Sequence, residues 1–268
     1  MQNIRHVLSA IALGFALTAA AVASAEAQAL STLDRILQEK TIRITAEVTS
    51  PPFGILDENG EPAGSEISTA RQLAQDLGVE LELVQVTGPQ RIPALLSGRA
   101  DVAISSLSMT VERAKTVMFA NPHGALSIVI AAPADVAIAT AAEMAGKRIG
   151  LTRATLEEAE VPKIAPADAE LVYFDDIAAT IQALLSGQVD AVGMSAFAAK
   201  SIADRNPDRQ IEPKFTVRTA YYAAAVRPGD HDLLRFLNTW VFLRTEDGTL
   251  GRIYQENTQV ELPPLPNL

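Results

Sequence analysis

The side chains in this chain that could do chemistry are hydroxyls, guanidinium groups and carboxylates, for it has no cysteine and three histidines. Without cysteine there is no thiol nucleophile, disulfide, thiolate-bound metal or lipidated N-terminal Cys. His6, His123 and His231 lie far apart, and nothing resembles an H-E-x-x-H pair on one helix face. No metal or cofactor is therefore expected, and the chemistry left is that of hydroxyls, guanidinium groups and carboxylates. Ser105–Ser106 and Met194–Ser195 each follow a short apolar run that reads as a buried strand. Thr152–Glu157 (TRATLE) sits between a strand end and a helix start, where free N–H groups and the helix dipole favour an anion; Thr155 offers both a hydroxyl and an N–H. Arg91, Arg113 and Arg153 can each fork onto a carboxylate. On their own they are equally well read as structural: Arg113 pairing with Glu112, Arg91 capping its helix, Arg153 solvated. Glu47 stands at the end of a first strand, facing a cleft or solvent.

The elements that must position these groups are announced by a repeat. Residues 92–101 (IPALLSGRAD) and 181–190 (IQALLSGQVD) agree at seven of ten positions, 89 residues apart. Each is an apolar helical run closed by Ser-Gly, the Gly supplying a left-handed C-cap. An Asp and a short buried strand follow, Val102–Ile104 and Ala191–Val192. The period is too long for a solenoid and suits two α/β lobes of similar plan. Ligands of open α/β sheets bind beyond the carboxyl ends of the strands, which makes the residues after these two strands the first candidates to line a cleft.

Residues 1–25 read as an export signal: Arg5, an apolar Val7–Val22, then Ala23-Ser24-Ala25, with Ala27 and Ala29 as competing cleavage sites. No other stretch approaches the roughly 18 apolar residues a membrane span needs. Cleavage leaves about 240 residues, enough to bury one or two cores without disulfides, and a bacterial periplasm is the expected location. Losing Arg5 takes the formal charge from −10 to −11, which argues against nucleic acid as a partner.

Along the chain, Thr41–Ala46, Glu80–Val86, Ser127–Ala132, Arg148–Leu151, Glu170–Phe174 and Tyr222–Val226 read as strands. Helices alternate with them, at Ile67–Leu77, Thr110–Lys115, Thr155–Ala159, Asp175–Leu185, Ser195–Ala203 and Asp232–Leu243, which indicates parallel sheets. The apolar strands Ser127–Ala132 and Tyr222–Val226 bracket the second repeat. If both cross between lobes, one lobe is residues 30–130 with 225–268, the other is 131–224, and the hinge lies at Ala131–Pro133 and Ala225–Arg227.

Read in order, SPPFGILDENGEPAG (50–64), RIPALLSGRADVAISSLSMTVERA (91–114), AGKRIGLTRATLEEAE (145–160), IQALLSGQVDAV (181–192), YYAAAVRPGD (221–230) and EDGTLGRIYQE (246–256) resemble the family-3 extracellular solute-binding proteins, the periplasmic components of polar amino-acid ABC importers. The resemblance spans nearly the whole chain beyond the signal. It implies a two-lobed type II periplasmic-binding-protein fold, α/β with two hinge crossovers, closing on a small carboxylate ligand: an acidic or polar amino acid or a related organic acid. An ABC permease is the implied partner, a monomer the implied state, and no enzymatic activity is implied for most of the family.

The resemblance also implies roles. Arg113 clamps the ligand carboxylate, groups around Ser106 and Ser108 meet an α-ammonium, and N–H groups near Thr110 help with the carboxylate. Arg91 sits in an N-R-I-P-like segment found in binders of acidic amino acids. The chain departs from the pattern in three places. Ser50 and Gly88 stand where aromatics are common, and Ser195 stands where the family has its ammonium-binding Asp. A hydroxyl is a poor substitute for a carboxylate against buried –NH3+, and Glu47 is a candidate replacement. Periplasmic cyclohexadienyl dehydratases resemble the same family; an enzyme of that kind would need Glu47 or Glu157 as its acid/base. A sensor docking on a receptor is a third possibility.

Overall fold

The computed structural model describes residues 30–266; the expected signal and its cleavage sites lie outside them. In chain order the elements are α1 (Thr32–Glu39), β1 (Thr41–Ala46), β2 (Ile55–Leu56), β3 (Pro62–Ala63), α2 (Ser65–Leu77), β4 (Glu80–Gln85), α3 (Arg91–Leu96), β5 (Val102–Ala103), α4 (Val111–Ala114) and β6 (Met118–Pro133). Then come β7 (Arg148–Thr152), α5 (Leu156–Ile164), β8 (Glu170–Phe174), α6 (Ile177–Leu185), β9 (Ala191–Ser195), α7 (Ala196–Arg205), β10 (Ile211–Val226), α8 (His231–Glu246) and α9 (Thr249–Thr258). No helix among the described residues is long and apolar enough to cross a membrane.

Eight strands form one mixed sheet in the order β4-β1-β5-β10-β6-β9-β7-β8. Its two ends mirror each other. β1 lies parallel to β4 and β5 in one half, and β7 lies parallel to β8 and β9 in the other. Each half is closed by a strand arriving antiparallel, β10 on β5 and β6 on β9. The two copies of the sequence repeat are α3–β5 and α6–β9, and the glycines after their helices, Gly98 and Gly187, both take φ 75°, the left-handed geometry that glycine alone adopts without cost.

The repeated Asp has a structural role the sequence did not disclose. Asp101 accepts Arg43 N–H (3.0 Å), Nε (3.2 Å) and Nη2 (2.7 Å), and Asp190 accepts Arg148 N–H (2.8 Å), Nε (3.2 Å) and Nη2 (2.7 Å). Each Asp ties the strand it precedes to the central strand of its half-sheet. Asp101 is fully buried and also meets Arg35, whereas the Asp190 side chain is 30% exposed. Burial works against ionising Asp101, but the hydrogen bonds from Arg43 and Arg35 outweigh it, so its carboxyl lies below the ordinary range. A depressed carboxylate contributes stability above its unfolded pKa and loses it as pH falls through the folded value. Asp101→Asn is therefore expected to cost about 3–5 kcal/mol in urea denaturation at pH 7, a deficit that shrinks in acid. Asp190→Asn should cost under about 1 kcal/mol.

β6 and β10 are each sixteen residues long, far beyond the segments the sequence suggests. Pro122 and Gly124 sit inside β6, opposite irregular pairings at Tyr222–Ala223 and Ala223–Ala225. An added Cβ at Gly124 would lie 2.1 Å from the Tyr222 ring, so glycine is what lets this tyrosine cross the neighbouring strand.

Side chains of β6 alternate between cores, Val129 and Ala131 to one face of the second half-sheet, Ile130 and Ala132 to the other. Helices cover both faces, which is why SIVIAA is apolar throughout. Ala224 and Val226 of β10 belong to the core of the first half, with α1, α2 and α8. Between these cores lies a smaller cluster of Phe53, Leu126, Ile128, Leu156, Ala220 and Tyr222. In the ladder Ala131 pairs with Pro213 and Ala225 with Phe119. The expected hinge positions thus stand at opposite ends of the crossing, each inside one core, rather than facing each other where the core changes.

Candidate functional site

A cavity of about 560 Å³, counting its mouth, lies between the half-sheets, lined by residues beyond the carboxyl ends of the parallel strands. Glu47 follows β1, Ser106 and Ser108 follow β5, Thr152 and Thr155 end and follow β7, and Ser195 ends β9. Arg91 and Arg113 enter from α3 and α4. The rest of the lining is largely apolar: Phe53, Leu126, Ile128, Leu156, Ile177 and Met194. Of the residues singled out in the sequence, Glu47, Arg91, Ser106, Ser108, Arg113, Thr155 and Ser195 line this cavity. Thr110 does not; its hydroxyl caps α4 by accepting Arg113 N–H at 3.2 Å, and it faces an outer groove with Pro89 and Ile92.

Arg113 donates to the Ser108 carbonyl (2.7 Å) and the Ala154 carbonyl (2.7 Å). Burial and the neighbouring Arg91 lower its pKa to about 10, which leaves it charged at neutral pH. Arg91 is buried and committed on every side: Nε to Gly88 O (3.0 Å), Nη1 to Ser105 O (3.1 Å), Nη2 to Ala154 O (3.0 Å), with Glu47 at 3.5 Å. One carbonyl, that of Ala154 in the second half, thus receives both arginines of the first. Ala154 holds a left-handed φ of 57° and its N–H donates to Glu158 at 2.6 Å. Arg153, considered as a further cation for the ligand, turns outward over the Tyr173 ring toward Asp175 and is half exposed.

Glu47 is buried, and neither of its carboxylate oxygens has a hydrogen-bond partner. Burial pushes its carboxyl up, against the pull of Arg91. Glu157, on the first turn of α5, is likewise raised by burial. Two hydroxyls are spoken for: Ser195 Oγ caps α7 by accepting Ala198 N–H (3.1 Å), and Thr155 donates to Thr152 O (2.6 Å). Ser195 thus ends a strand and opens a helix, and one of its two lone pairs is used by the backbone.

The aromatic that sequence reasoning missed is Phe53, the last residue of Pro-Pro-Phe. It reaches the cavity packed edge-on against Phe197 (5.8 Å) and Tyr222 (5.5 Å). Ser50, where the resemblance implies that an aromatic is common, lines the cavity. At Gly88 the space for a side chain is flanked by Arg91, Glu47 and the Arg153 carbonyl. The apolar wall left no signal because Leu126, Ile128 and Met194 sit in strands whose neighbours are just as apolar.

A cleft between two α/β halves joined by crossing strands, with guanidinium and carboxylate groups at the strand ends, defines a two-lobed solute-binding protein. The chain belongs to the bacterial extracellular solute-binding proteins, family 3, whose model matches residues 42–259. Among its relatives, the L-cystine-binding protein TcyJ of Escherichia coli is 27% identical over 226 residues, 84% of this chain and 85% of its own. The cyclohexadienyl dehydratase of Pseudomonas aeruginosa is 25% identical over 263 residues, 93% of this chain and 92% of its own. Among solved structures, the solute receptor for L-cysteine of Neisseria gonorrhoeae superposes with a TM-score of 0.80 at 27% identity, covering 85% of this chain and 93% of its own. The fold is the two-lobed type II fold of such binding proteins.

Proposed function

We propose that this protein is an exported periplasmic receptor that binds an L-amino acid between its lobes, as a monomer, and delivers it to an ABC permease. The observation that carries this reading is the buried Glu47 carboxylate, both oxygens without a hydrogen-bond partner, in the same cavity as the Arg113 guanidinium. One offers a site for an ammonium, the other for a carboxylate, and burying a carboxylate whose oxygens lack hydrogen bonds is costly even with Arg91 3.5 Å away. Arg91 adds little pull for a second ligand carboxylate, because three carbonyls take its donors and Glu47, 3.5 Å away, balances its charge. Together with the apolar wall this favours a neutral side chain over an acidic one. Relatives that bind L-cystine and L-cysteine agree with that preference.

The lobes on this reading pivot where β6 and β10 change cores, Ala125–Ile128 against Arg218–Tyr221. The test is calorimetry and thermal shift with L-cysteine, L-glutamine, L-arginine and L-glutamate, each beside its 2-oxo analogue. A ligand at 100 times its Kd adds about 2.7 kcal/mol of stability. Neutral amino acids should bind, and their oxo analogues should not. Equal binding of the analogues, or a preference for L-glutamate, overturns the assignment. A second reading is favoured by one observation: Glu157 and Glu47 have raised carboxyls beside an arginine, the setting for a general acid that protonates a leaving hydroxyl. Release of an aromatic product from prephenate or arogenate in the same samples would establish it.

A further inference from the structure

The turn that carries Ser105, Ser106 and Ser108 presents its carbonyls to both arginines, Ser105 O to Arg91 and Ser108 O to Arg113. Between them Ser106 adopts φ 47°, a left-handed conformation that a serine holds only when its surroundings require it. What requires it is Glu66, on the first turn of α2. Its side chain is 3% exposed, and Oε2 accepts Ser106 N–H at 2.6 Å, short even for a charge-assisted bond. The other oxygen, Oε1, meets His123 Nε2 at 3.0 Å. His123 lies on β6 next to the crossing of the lobes, its ring edge-on to Tyr222 at 5.1 Å.

The tautomer of His123 follows from its surroundings. Nδ1 is buried with no partner. A proton there would be a donor left unpaired, which costs more than an idle lone pair. The imidazole therefore carries its proton on Nε2 and donates it to Glu66. Ser65, Thr69, Tyr222 and Tyr254 surround the pair, and the carboxylate has two N–H donors, one from the ligand turn and one from a crossing strand.

We propose that Glu66 is a positioning residue for the ligand site. It fixes the Ser106 turn in the shape that aims Ser105 O and Ser108 O at the two arginines, and through His123 it ties that turn to the strands about which the lobes move. The proposal rests on the reading of the cavity as the ligand site, and its test separates the two. In the unliganded wild type, NMR should show a far-downfield, slowly exchanging Ser106 amide and an unprotonated His123 Nδ1.

In Glu66→Gln the amide keeps an acceptor for Ser106 but must turn its NH2 toward His123. The expected results are an upfield Ser106 proton, a shift of the His123 proton to Nδ1, and affinity for L-cysteine or L-glutamine weakened about tenfold or more. An ordinary, fast-exchanging Ser106 amide or a protonated Nδ1 in the wild type overturns the proposal whether or not the variant folds. So does a Glu66→Gln protein with wild-type affinity. If neither amino acid binds the wild type, the functional reading fails, while the wild-type NMR signals still decide the role of Glu66.

Discussion

Arg113→Ala is expected to lose measurable amino-acid binding while keeping its fold. Removing one partner of a buried, hydrogen-bonded charge pair costs about 2–5 kcal/mol, on the order of thirty-fold to a few thousand-fold in Kd. The fold should survive because Arg113 sits on a four-residue helix and its guanidinium donates to the carbonyls of Ser108 and Ala154, not to a core carboxylate. Arg113→Lys keeps the charge but not the fork, and should fall between. Burial and Arg91 lower the pKa of Arg113 to about 10, so its charge is intact across the neutral range and affinity should be level from pH 7 to 8. Calorimetry across that range with the best-binding amino acid checks both. Wild-type affinity in Arg113→Ala would falsify the clamp assignment.

Glu47→Gln is the second large effect. A glutamine keeps the size of the side chain and removes the charge that faces the ligand ammonium, so affinity for L-amino acids should fall by about 2–3 kcal/mol or more. Stability should move the other way or not at all. A carboxyl whose folded pKa is raised by burial stabilises the fold below its unfolded pKa and ceases to do so as pH rises through the folded value. At neutral pH the unliganded protein therefore gains nothing from this charge. Arg91 keeps its three carbonyl acceptors in the variant. Thermal melts of wild type and Glu47→Gln without ligand, set beside their Kd values, separate the two effects. Affinity should also fall as pH drops through the raised range of Glu47, because protonation discharges the ammonium site. A variant that binds normally and melts lower would place Glu47 among structural residues instead.

Much of this molecule could be read directly from local pattern. The repeat at Ile92–Asp101 and Ile181–Asp190, the glycines after its helices and the apolar runs that follow are short-range signals, because helix caps and buried strands are set by residues within a turn or two of each other. They located the two halves and, since ligands collect beyond the carboxyl ends of parallel strands, Ser106 and Ser195 at the cavity; Arg91, Ser108 and Arg113 were reached through the family resemblance. The crossing strands were legible only in part. Pro122 and Gly124 are breakers by local rule, and they are accommodated in β6 by bulged pairing with β10, a partner almost a hundred residues away.

Which of the predicted groups are available to a ligand was decided by tertiary structure alone. By residue type alone Arg91, Arg113 and Arg153 can each meet a carboxylate, and the resemblance singles out Arg113. Packing turns Arg153 outward, occupies Arg91 with three carbonyls and leaves Arg113 at the cavity. It likewise gives Ser195 a helix-cap bond and leaves Glu47 buried beside Arg91 with no hydrogen bond to its oxygens. The same separation hides Glu66, whose carboxylate meets residues 40 and 57 positions away. Residue type fixes what a group can donate or accept. Whether that capacity is already used depends on carbonyls and charges brought close by the fold, and no local pattern encodes those distances.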